Sequence, residues 1–533
     1  MGDFRHGVEA GANLIQAGKI SVEAIAPYAD LIGFKKDSGT SFLNKSAEER
    51  IQTAVLTLDK VLVKVDDIAV EVDAAREHID KINPHRYPDS IGSRPVGTRI
   101  ENLQKEFDSI AGLFVDAKPF LKQLPSILGA DKEKTYIVLF QNDKELRPTG
   151  GFLTAYAIFR VNQGRIKVER SADIYSLDDA IKVHPAAPRE ILTYHKGVSK
   201  LFVRDSNLSP DYPTSVKYFD DLYQQAANKV PYDGIFTMDT HVLVDTLRIL
   251  GDTEVRGTIF SARQDARCDC PQVIYKLLDE IDRPVAYLKA DRKGILGDLL
   301  FAIMQKALGF SPSQYWGPLV QDMLKNLQEK HILVNLNEPG AQESIEKLNY
   351  AGRIQPFDGD YLHINDTNFA GAKSNLYVQH AVDSKTTIAP DGTVKRELVI
   401  TYKNPKPHSN CNLEDGGGLG RGGLCINATL RNWVRIYVPK GSTLGEFKGS
   451  QKKVQTYDEL GKTVYEGFLE VRPLGKSTVT VTYTLPFKVK NEKEYKLLIQ
   501  KQPGTVGHAY VTSINGAQWT NGPLTIDRLV KKP

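Results

Sequence analysis

Thr135-Tyr136-Ile137-Val138-Leu139-Phe140-Gln141-Asn142-Asp143-Lys144-Glu145-Leu146-Arg147-Pro148-Thr149-Gly150-Gly151-Phe152-Leu153-Thr154-Ala155-Tyr156-Ala157-Ile158-Phe159-Arg160 sets two apolar runs on either side of a polar turn. A continuous apolar run such as 136–140 reads as a strand buried on both faces, and 151–160 as the strand that follows it. Asn162-Gln163-Gly164-Arg165 then supplies a hairpin turn into Ile166-Lys167-Val168. Downstream, the pattern predicts helices over 214–227, 242–250, 271–281 and 294–308, with a further buried strand at 234–238. Strands interleaved with helices predict an α/β or α+β core, assigned to residues 131–375.

On the N-terminal side, Ile51, Val55, Leu58, Leu62, Val65, Ala69, Val72 and Ile79 recur at gaps of three and four, interrupted at Arg76, and predict a long amphipathic helix over 48–82. After the breaker Asn83-Pro84-His85-Arg86-Tyr87-Pro88, a second series runs from Ile100 to Leu124, with Pro119 a kink or stop near its end. The two can face each other as a helical hairpin over residues 1–130, serving either as a cap or as a stalk. Beyond Leu376 the period changes to two. Segments 394–402, 433–438, 464–471, 477–483 and 495–502 alternate, separated by turn residues, and predict a β-sandwich of the immunoglobulin-like sort over 376–533. The chain therefore reads as multidomain α and β, and its 533 residues suit three domains at roughly 150 residues each.

Hydrophobic residues at 41% and charged residues at 25% describe a globular protein and exclude wholesale disorder. With 69 Lys and Arg against 65 Asp and Glu, the net charge of +4 is too balanced for the basic footprint of a nucleic-acid binder. No stretch approaches the roughly 20 apolar residues that span a bilayer, and Met1-Gly2-Asp3-Phe4-Arg5-His6-Gly7 lacks the apolar core of a signal peptide. Cys411 and Cys425 flank the cluster Gly416-Gly417-Gly418-Leu419-Gly420 in the strand-rich region and are read as a disulfide, which suits an exported protein; two free thiols is the other reading. Cys268-Asp269-Cys270 lacks the second ligand pair of a zinc site, and such close neighbours bridge only with strain, so no role is assigned to it.

Standard catalytic signatures are missing from the sequence: no G-x-S-x-G elbow, no H-E-x-x-H, no phosphate loop ending in G-K-[ST], no Rossmann glycine fingerprint. Three polar loops carry the candidate residues. In the first, between the two apolar runs, Arg147 offers a planar fork for a carboxylate or phosphate, Gly150-Gly151 permit close backbone approach or positive φ, and Asn142 and Glu145 are candidate ligand contacts. The same turn also reads as structural, with Arg147 paired to Glu145 or another acid. In the second, Val203-Arg204-Asp205-Ser206-Asn207-Leu208-Ser209-Pro210-Asp211-Tyr212-Pro213, Arg204 suits a phosphate while Asp205 or Asp211 suits a divalent cation or a proton; Asx turns use the same residues. The third, residues 359–375, is dense in amides and carboxylates and includes Lys373 and Asn375; it reads as a loop at a domain junction, where buried Asn side chains also commonly satisfy the backbone.

Taken together, Q-N-D-K-E-L-R-P-T-G-G-F-L, R-D-S-N-L-S-P-D-Y-P, Y-D-G-I-F-T-M-D and G-D-Y-L…N-F-A-G-A-K-S-N-L-Y resemble an uncharacterised bacterial envelope family known only as domain of unknown function 4012, over residues 135–375. The resemblance implies a protein outside the cytoplasm at the cell surface, held by an N-terminal transmembrane helix that this chain lacks. The order of elements is distantly similar to the LytR-CpsA-Psr phosphotransferases, which move glycopolymers from a polyprenyl-pyrophosphate lipid to the cell wall. That similarity implies a LytR-CpsA-Psr-like core in which Arg147 and Arg204 hold pyrophosphate and Asp205 a divalent cation such as Mg. L-R-P-T stands where those enzymes have R-S-D-T, and V-R-D-S only loosely replaces their P-R-D-T.

Two functions follow. The first is an extracytoplasmic envelope protein that binds or scaffolds, with a glycan, a lipid-pyrophosphate or a surface protein as its partner. The alternative is a metal-assisted phosphotransferase using Arg147, Arg204 and Asp205 as its catalytic residues. A third reading is adhesion through exposed edge strands of the β domain.

Overall fold

A computed structural model describes residues 2–26, 47–88, 90–91, 94–195, 197–282, 294–309, 312–369, 373–409 and 426–532. The N-terminal segment is helical, with α1 (Gly2–Ile25), α2 (Ala47–Leu62), α3 (Val65–Asp80) and α4 (Gly97–Ile127). The helix expected over 48–82 divides at Val63-Lys64, where the backbone tightens to an i→i+3 bond from Lys64 N to Val61 O at 3.3 Å. Helix α1 packs on α3, and α2 and α3 both pack on α4, so four helices associate among the described residues where a two-helix hairpin is expected. Helix α4 runs on through Pro119 and Pro125. Its end is tied to the next unit by Tyr136, whose hydroxyl donates to Ile127 O at 2.7 Å. No helix among the described residues is long and apolar enough to cross a membrane.

The core is a five-stranded mixed sheet of β1 (Lys134–Asn142), β2 (Phe152–Asn162), β3 (Arg165–Asp173), β4 (Gly234–Asp239) and β5 (Ile332–Leu336), in the order β5-β4-β1-β2-β3. Only the β1–β4 pair is parallel. Its apolar runs are continuous because both faces are covered. Ile137 and Leu139 turn to one face, where Val216, Phe219 and Leu222 of α5 (Tyr212–Tyr223) close the core. Val138 turns to the other, together with Ala157 and Phe159. That second face carries α6 (Thr240–Leu250), α7 (Gln272–Asp282) and α8 (Gly294–Gly309). Helices α9 (Pro312–Gln328) and α10 (Pro339–Lys347) complete the unit.

The C-terminal strands form two six-stranded sheets. In chain order they are β6 (Asp360–Asn368), β7 (Gln379–Ile388), β8 (Thr393–Lys403), β9 (Leu430–Pro439), β10 (Thr443–Lys448), β11 (Gln455–Glu459), β12 (Lys462–Val471), β13 (Lys476–Lys488), β14 (Lys496–Gln500), β15 (His508–Ile514), β16 (Ala517–Leu524) and β17 (Arg528–Lys531). One sheet runs β11-β12-β9-β6-β14-β17 and the other β10-β13-β8-β7-β15-β16. One apolar core takes Leu362, Ile436 and Leu497 from the first and Leu398, Ile400 and Val481 from the second, so the sheets face each other across it.

Residues 359–375 do not form the expected loop. Asp360–Asn368 is the strand β6, buried along its whole length, and it belongs to a sheet whose other strands lie beyond the expected boundary at 375/376. Its sequence looks like loop because its polar groups are paired inside the protein. Asp366 accepts from Tyr402 at 2.7 Å and from Asn432 at 2.6 Å, and Asn365 accepts from Arg435 at 3.0 Å. Asp360 accepts from Arg396 of the facing sheet and from Tyr495, and Arg396 also donates to Ser384.

The Cys268/Cys270 pair, given no role from the sequence, differs from that reading as well. Cys268 and Cys270 are bridged, with Cα atoms 5.1 Å apart. Asp269 between them adopts φ of 52°, the left-handed turn that brings the two side chains to one side. Cys411 and Cys425 lie outside the described residues.

Two outcomes are expected from this packing. Arg396→Met strands the fully buried Asp360 carboxylate and lowers stability by about 3–5 kcal/mol in urea unfolding, whereas adding Asp360→Leu restores most of the loss because no uncompensated charge remains. Asp527 is buried against Lys330 Nζ at 2.7 Å, Asn349 Nδ2 at 2.8 Å and Lys501 N at 2.8 Å. Burial alone raises its carboxyl, but the Lys330 charge and these hydrogen bonds outweigh it and hold the group below the ordinary carboxylate range. Its contribution is therefore complete above about pH 4 and is lost as pH falls through the lower folded value. Asp527→Asn flattens the dependence of stability on pH in that acid window and leaves the remainder of the profile in place.

Candidate functional site

The corner between β1 and β2 is wired from within. Gln141 Oε1 accepts from Thr149 Oγ1 at 3.0 Å, Gly151 N at 3.1 Å and Asn207 Nδ2 at 3.2 Å, and Gln141 Nε2 donates to Thr149 O at 3.1 Å. Gly150 sits at φ of 131°, and a Cβ on Gly151 would lie 2.4 Å from the Asn142 carbonyl carbon, so both positions demand glycine. The outer side of the corner is pressed against the C-terminal strands. Arg147 donates to Asn368 O of β6, Gln502 Nε2 donates to Arg147 O at 3.1 Å, and Asn368 N donates to Leu146 O at 2.9 Å.

Arg147, Arg204 and Asp205 come together, as do Glu145 and Lys373. Arg147 Nη2 lies 3.4 Å from Glu145 and 3.5 Å from Asp205, and Lys373 Nζ lies 3.3 Å from the other oxygen of Glu145. Arg204 stacks on Phe202, 3.8 Å from the ring centre, and donates to Asp178 at 2.6 Å, with Asp205 3.9 Å away. Asp178 also accepts from Val203 N at 2.6 Å. Burial pushes the Asp178 carboxyl above the ordinary range against the pull of the Arg204 guanidinium. Three cations thus meet three carboxylates, and Arg147 is only 1% exposed. An anion entering here would have to displace carboxylates already in place, at the cost of leaving buried charges unpaired.

The remaining candidates have structural partners. Asn375 Oδ1 accepts from Leu146 N at 3.2 Å and from Asn368 Nδ2 at 2.9 Å. Asn142 Oδ1 accepts from Lys144 N at 3.1 Å. Asp211 stands apart from the arginines at the N-terminus of α5, where it accepts from Thr214 Oγ1 at 2.7 Å and Ile354 N at 3.0 Å, with Arg353 Nε 3.4 Å away. The arrangement of the first loop therefore follows its structural reading, with Arg147 paired to Glu145 and a second acid.

An apolar cleft of about 900 Å³, open solvent at its mouth included, lies on the other face of the core sheet. Leu243 of α6, Ile274, Leu277 and Leu278 of α7, and Leu296, Leu299, Leu300 and Ile303 of α8 form its walls; Gln141, Asn142, Asp239 and Thr240 stand at its polar end. Of the predicted site residues, Asn142 alone lines it. Sequence reading places α7 and α8 as helices but gives no sign that their leucines leave space between them, since an apolar helix face looks the same packed or open.

Beside the polar end, the β4–α6 junction gathers a second set that sequence reading missed. Asp239 Oδ2 is 2.6 Å from His331 Nδ1, and its Oδ1 accepts from His241 N at 2.9 Å and lies 3.3 Å from His241 Nδ1. Burial alone raises the Asp239 carboxyl, but the two imidazoles outweigh it and hold the group well below the ordinary range. Burial pushes His331 down, against the pull of Asp239. The three side chains lie close enough to share a cation, yet each is already engaged by its neighbours. His331 lies about ninety residues from Asp239 in the chain, and only the antiparallel β4–β5 pairing joins them.

No curated protein matches this sequence. Solved structures give partial likenesses: a putative nutrient binding protein from Legionella pneumophila at 8% identity and TM-score 0.20, covering 29% of this chain and 54% of that one; the Lin1025 protein from Listeria innocua at 12% and 0.22, covering 42% and 79%; and an M1 zinc metallopeptidase from Deinococcus radiodurans at 9% and 0.14, covering 30% and 43%. This chain thus spans about half the length of the Legionella protein. Likenesses at such TM-scores carry nothing about activity. Residues 131–265 match the family described as "Protein of unknown function (DUF4012)", a span that takes in the arginine corner, the β1–β4 pairing and the polar end of the cleft.

Proposed function

We propose that this protein binds the apolar chain of an envelope lipid in the cleft between the core sheet and α6–α8, and acts at the cell surface by binding or scaffolding. The single observation behind this reading is the cleft: branched aliphatic walls and a polar end for a head group, the lining typical of small-molecule sites. Each methylene buried there contributes about 0.8 kcal/mol, so a chain of a few carbons outweighs the cost of ordering it. The neutralised arginine cluster supports binding over turnover, because its cations already serve carboxylates.

The second reading is a metal-assisted phosphotransferase acting on a polyprenyl-pyrophosphate-linked glycan, on a LytR-CpsA-Psr-like core. One observation favours it: a prenyl chain needs an apolar cleft of this kind close to a polar turn. Burial of Arg147 weighs against it. In either reading the paired C-terminal sheets act as an immunoglobulin-like sandwich that braces the core.

The test uses the purified chain with a fluorescent acyl probe and with a polyprenyl phosphate. Saturable binding at one site is expected, weakened about tenfold or more by Leu300→Trp, which fills the cleft, with the melting temperature little changed. Binding that is absent, or indifferent to Leu300→Trp, overturns the proposal. Arg147→Met removes the cation shared by Glu145 and Asp205, which keep only Lys373 at 3.3 Å and Arg204 at 3.9 Å, and is expected to cost about 1–3 kcal/mol of stability in denaturant unfolding. Transfer of a lipid-linked glycan that survives Leu300→Met but is abolished by Arg204→Ala in a folded protein would install the phosphotransferase reading instead.

A further inference from the structure

A further cluster spans the two C-terminal sheets and borders the arginine corner through Gln502, whose Nε2 donates to Arg147 O at 3.1 Å and to Asp366 O at 2.8 Å. Asp366 comes from β6 of one sheet; His380 of β7 and His508 of β15 come from the other, on parallel neighbouring strands. The imidazole rings are 4.1 Å apart between centroids, and His380 Nδ1 is 3.5 Å from Asp366 Oδ2. Ligand atoms from all three side chains lie within 4.8 Å of one another.

What sets this cluster apart is that three of its four imidazole nitrogens are buried without a hydrogen bond. The His380 side chain is only 3% exposed, yet neither Nδ1 nor Nε2 makes a hydrogen bond, and Nε2 of His508 is buried without a partner as well. Buried polar atoms are nearly always satisfied, and each exception calls for a cause. In the other two groups of potential ligands among the described residues the imidazoles are already engaged: His331 with Asp239 at 2.6 Å, and His78 with Glu9 at 3.1 Å and His6 at 3.3 Å. Packing of His380 against Tyr402, with ring centres 4.5 Å apart, explains the plane of the ring but not why neither nitrogen is hydrogen-bonded.

The carboxylate is also prepared. Asp366 Oδ1 accepts from Tyr402 OH at 2.7 Å and Asn432 Nδ2 at 2.6 Å, while Oδ2 faces His380. Hydrogen bonds of this kind orient ligating carboxylates in metal sites. His380 and His508 line a cleft of about 1,120 Å³, solvent included, that gives an ion a path to the cluster.

We propose that Asp366, His380 and His508 bind a divalent transition-metal ion, zinc foremost. Two imidazoles and one carboxylate match the ligand preference of zinc and leave a fourth position open to the cleft. The site joins one sheet to the other, so occupation clamps the two together.

Metal-stripped full-length chain is titrated with Zn²⁺ and, separately, with Co²⁺, whose visible absorption reports ligand geometry. One ion per chain is expected, with a tetrahedral-type Co²⁺ spectrum and a rise in melting temperature. His380→Ala and His508→Gln each abolish the Co²⁺ spectrum, and Tyr402→Phe weakens binding about tenfold by releasing Asp366. His241→Ala and His78→Ala leave it intact. Should His380→Ala fail to fold, His508→Gln at the less buried position decides. No stoichiometric binding, a spectrum that survives His508→Gln, or one lost in His241→Ala overturns the assignment.

Discussion

The structure turns on the insertion of one buried arginine between two units. Arg147 leaves the β1–β2 corner, donates to the Asn368 carbonyl of β6 and lies between Glu145 and Asp205. Phe152 and Phe369 flank the guanidinium at 5.3 and 5.1 Å. Around it, backbone meets backbone closely enough that a Cβ on Gly504 would lie 2.0 Å from Gly150 O. The core sheet and the C-terminal sheets therefore meet through the same turn, and the arginine's charge is spent on holding them.

Further contacts reinforce this joint. Glu466 accepts both Nη atoms of Arg189, at 2.9 and 2.7 Å, and the Tyr194 hydroxyl at 2.6 Å, while Tyr194, Trp433, Phe468 and Phe369 share one aromatic cluster. Lys330 and Asp527 form a third anchor. A turn locked at so many points presents no preformed anion site, and chemistry has to be sought where space remains, in the apolar cleft on the far face of the sheet.

The cleft and the histidine cluster belong to different parts of the fold and raise different questions. The polar end of the cleft lies within the family segment while its α7 and α8 walls lie beyond it, and the cleft concerns what the core binds. The Asp366 cluster lies beyond it and concerns how the two C-terminal sheets are held together, with strand β15 supplying one ligand.

Reading residues in order was enough for the elements of the core: the apolar runs at 136–140 and 234–238 require burial on both faces, and the alternation beyond Leu376 requires strands with one face on a core. It also placed glycine where the corner needs it. Strand β6 was lost to it, because Asp360, Asn365 and Asp366 look solvated until Arg396, Arg435 and Tyr402 arrive from distant strands. The Cys268–Cys270 bridge depended on a left-handed residue that spacing does not reveal. Local sequence thus determined periodicity and turn chemistry, since these rest on neighbours in the chain. Which charges are neutralised, where helices leave a void and which histidines converge were decided only by the tertiary structure, because each depends on groups that are far apart in sequence and share a low-dielectric interior.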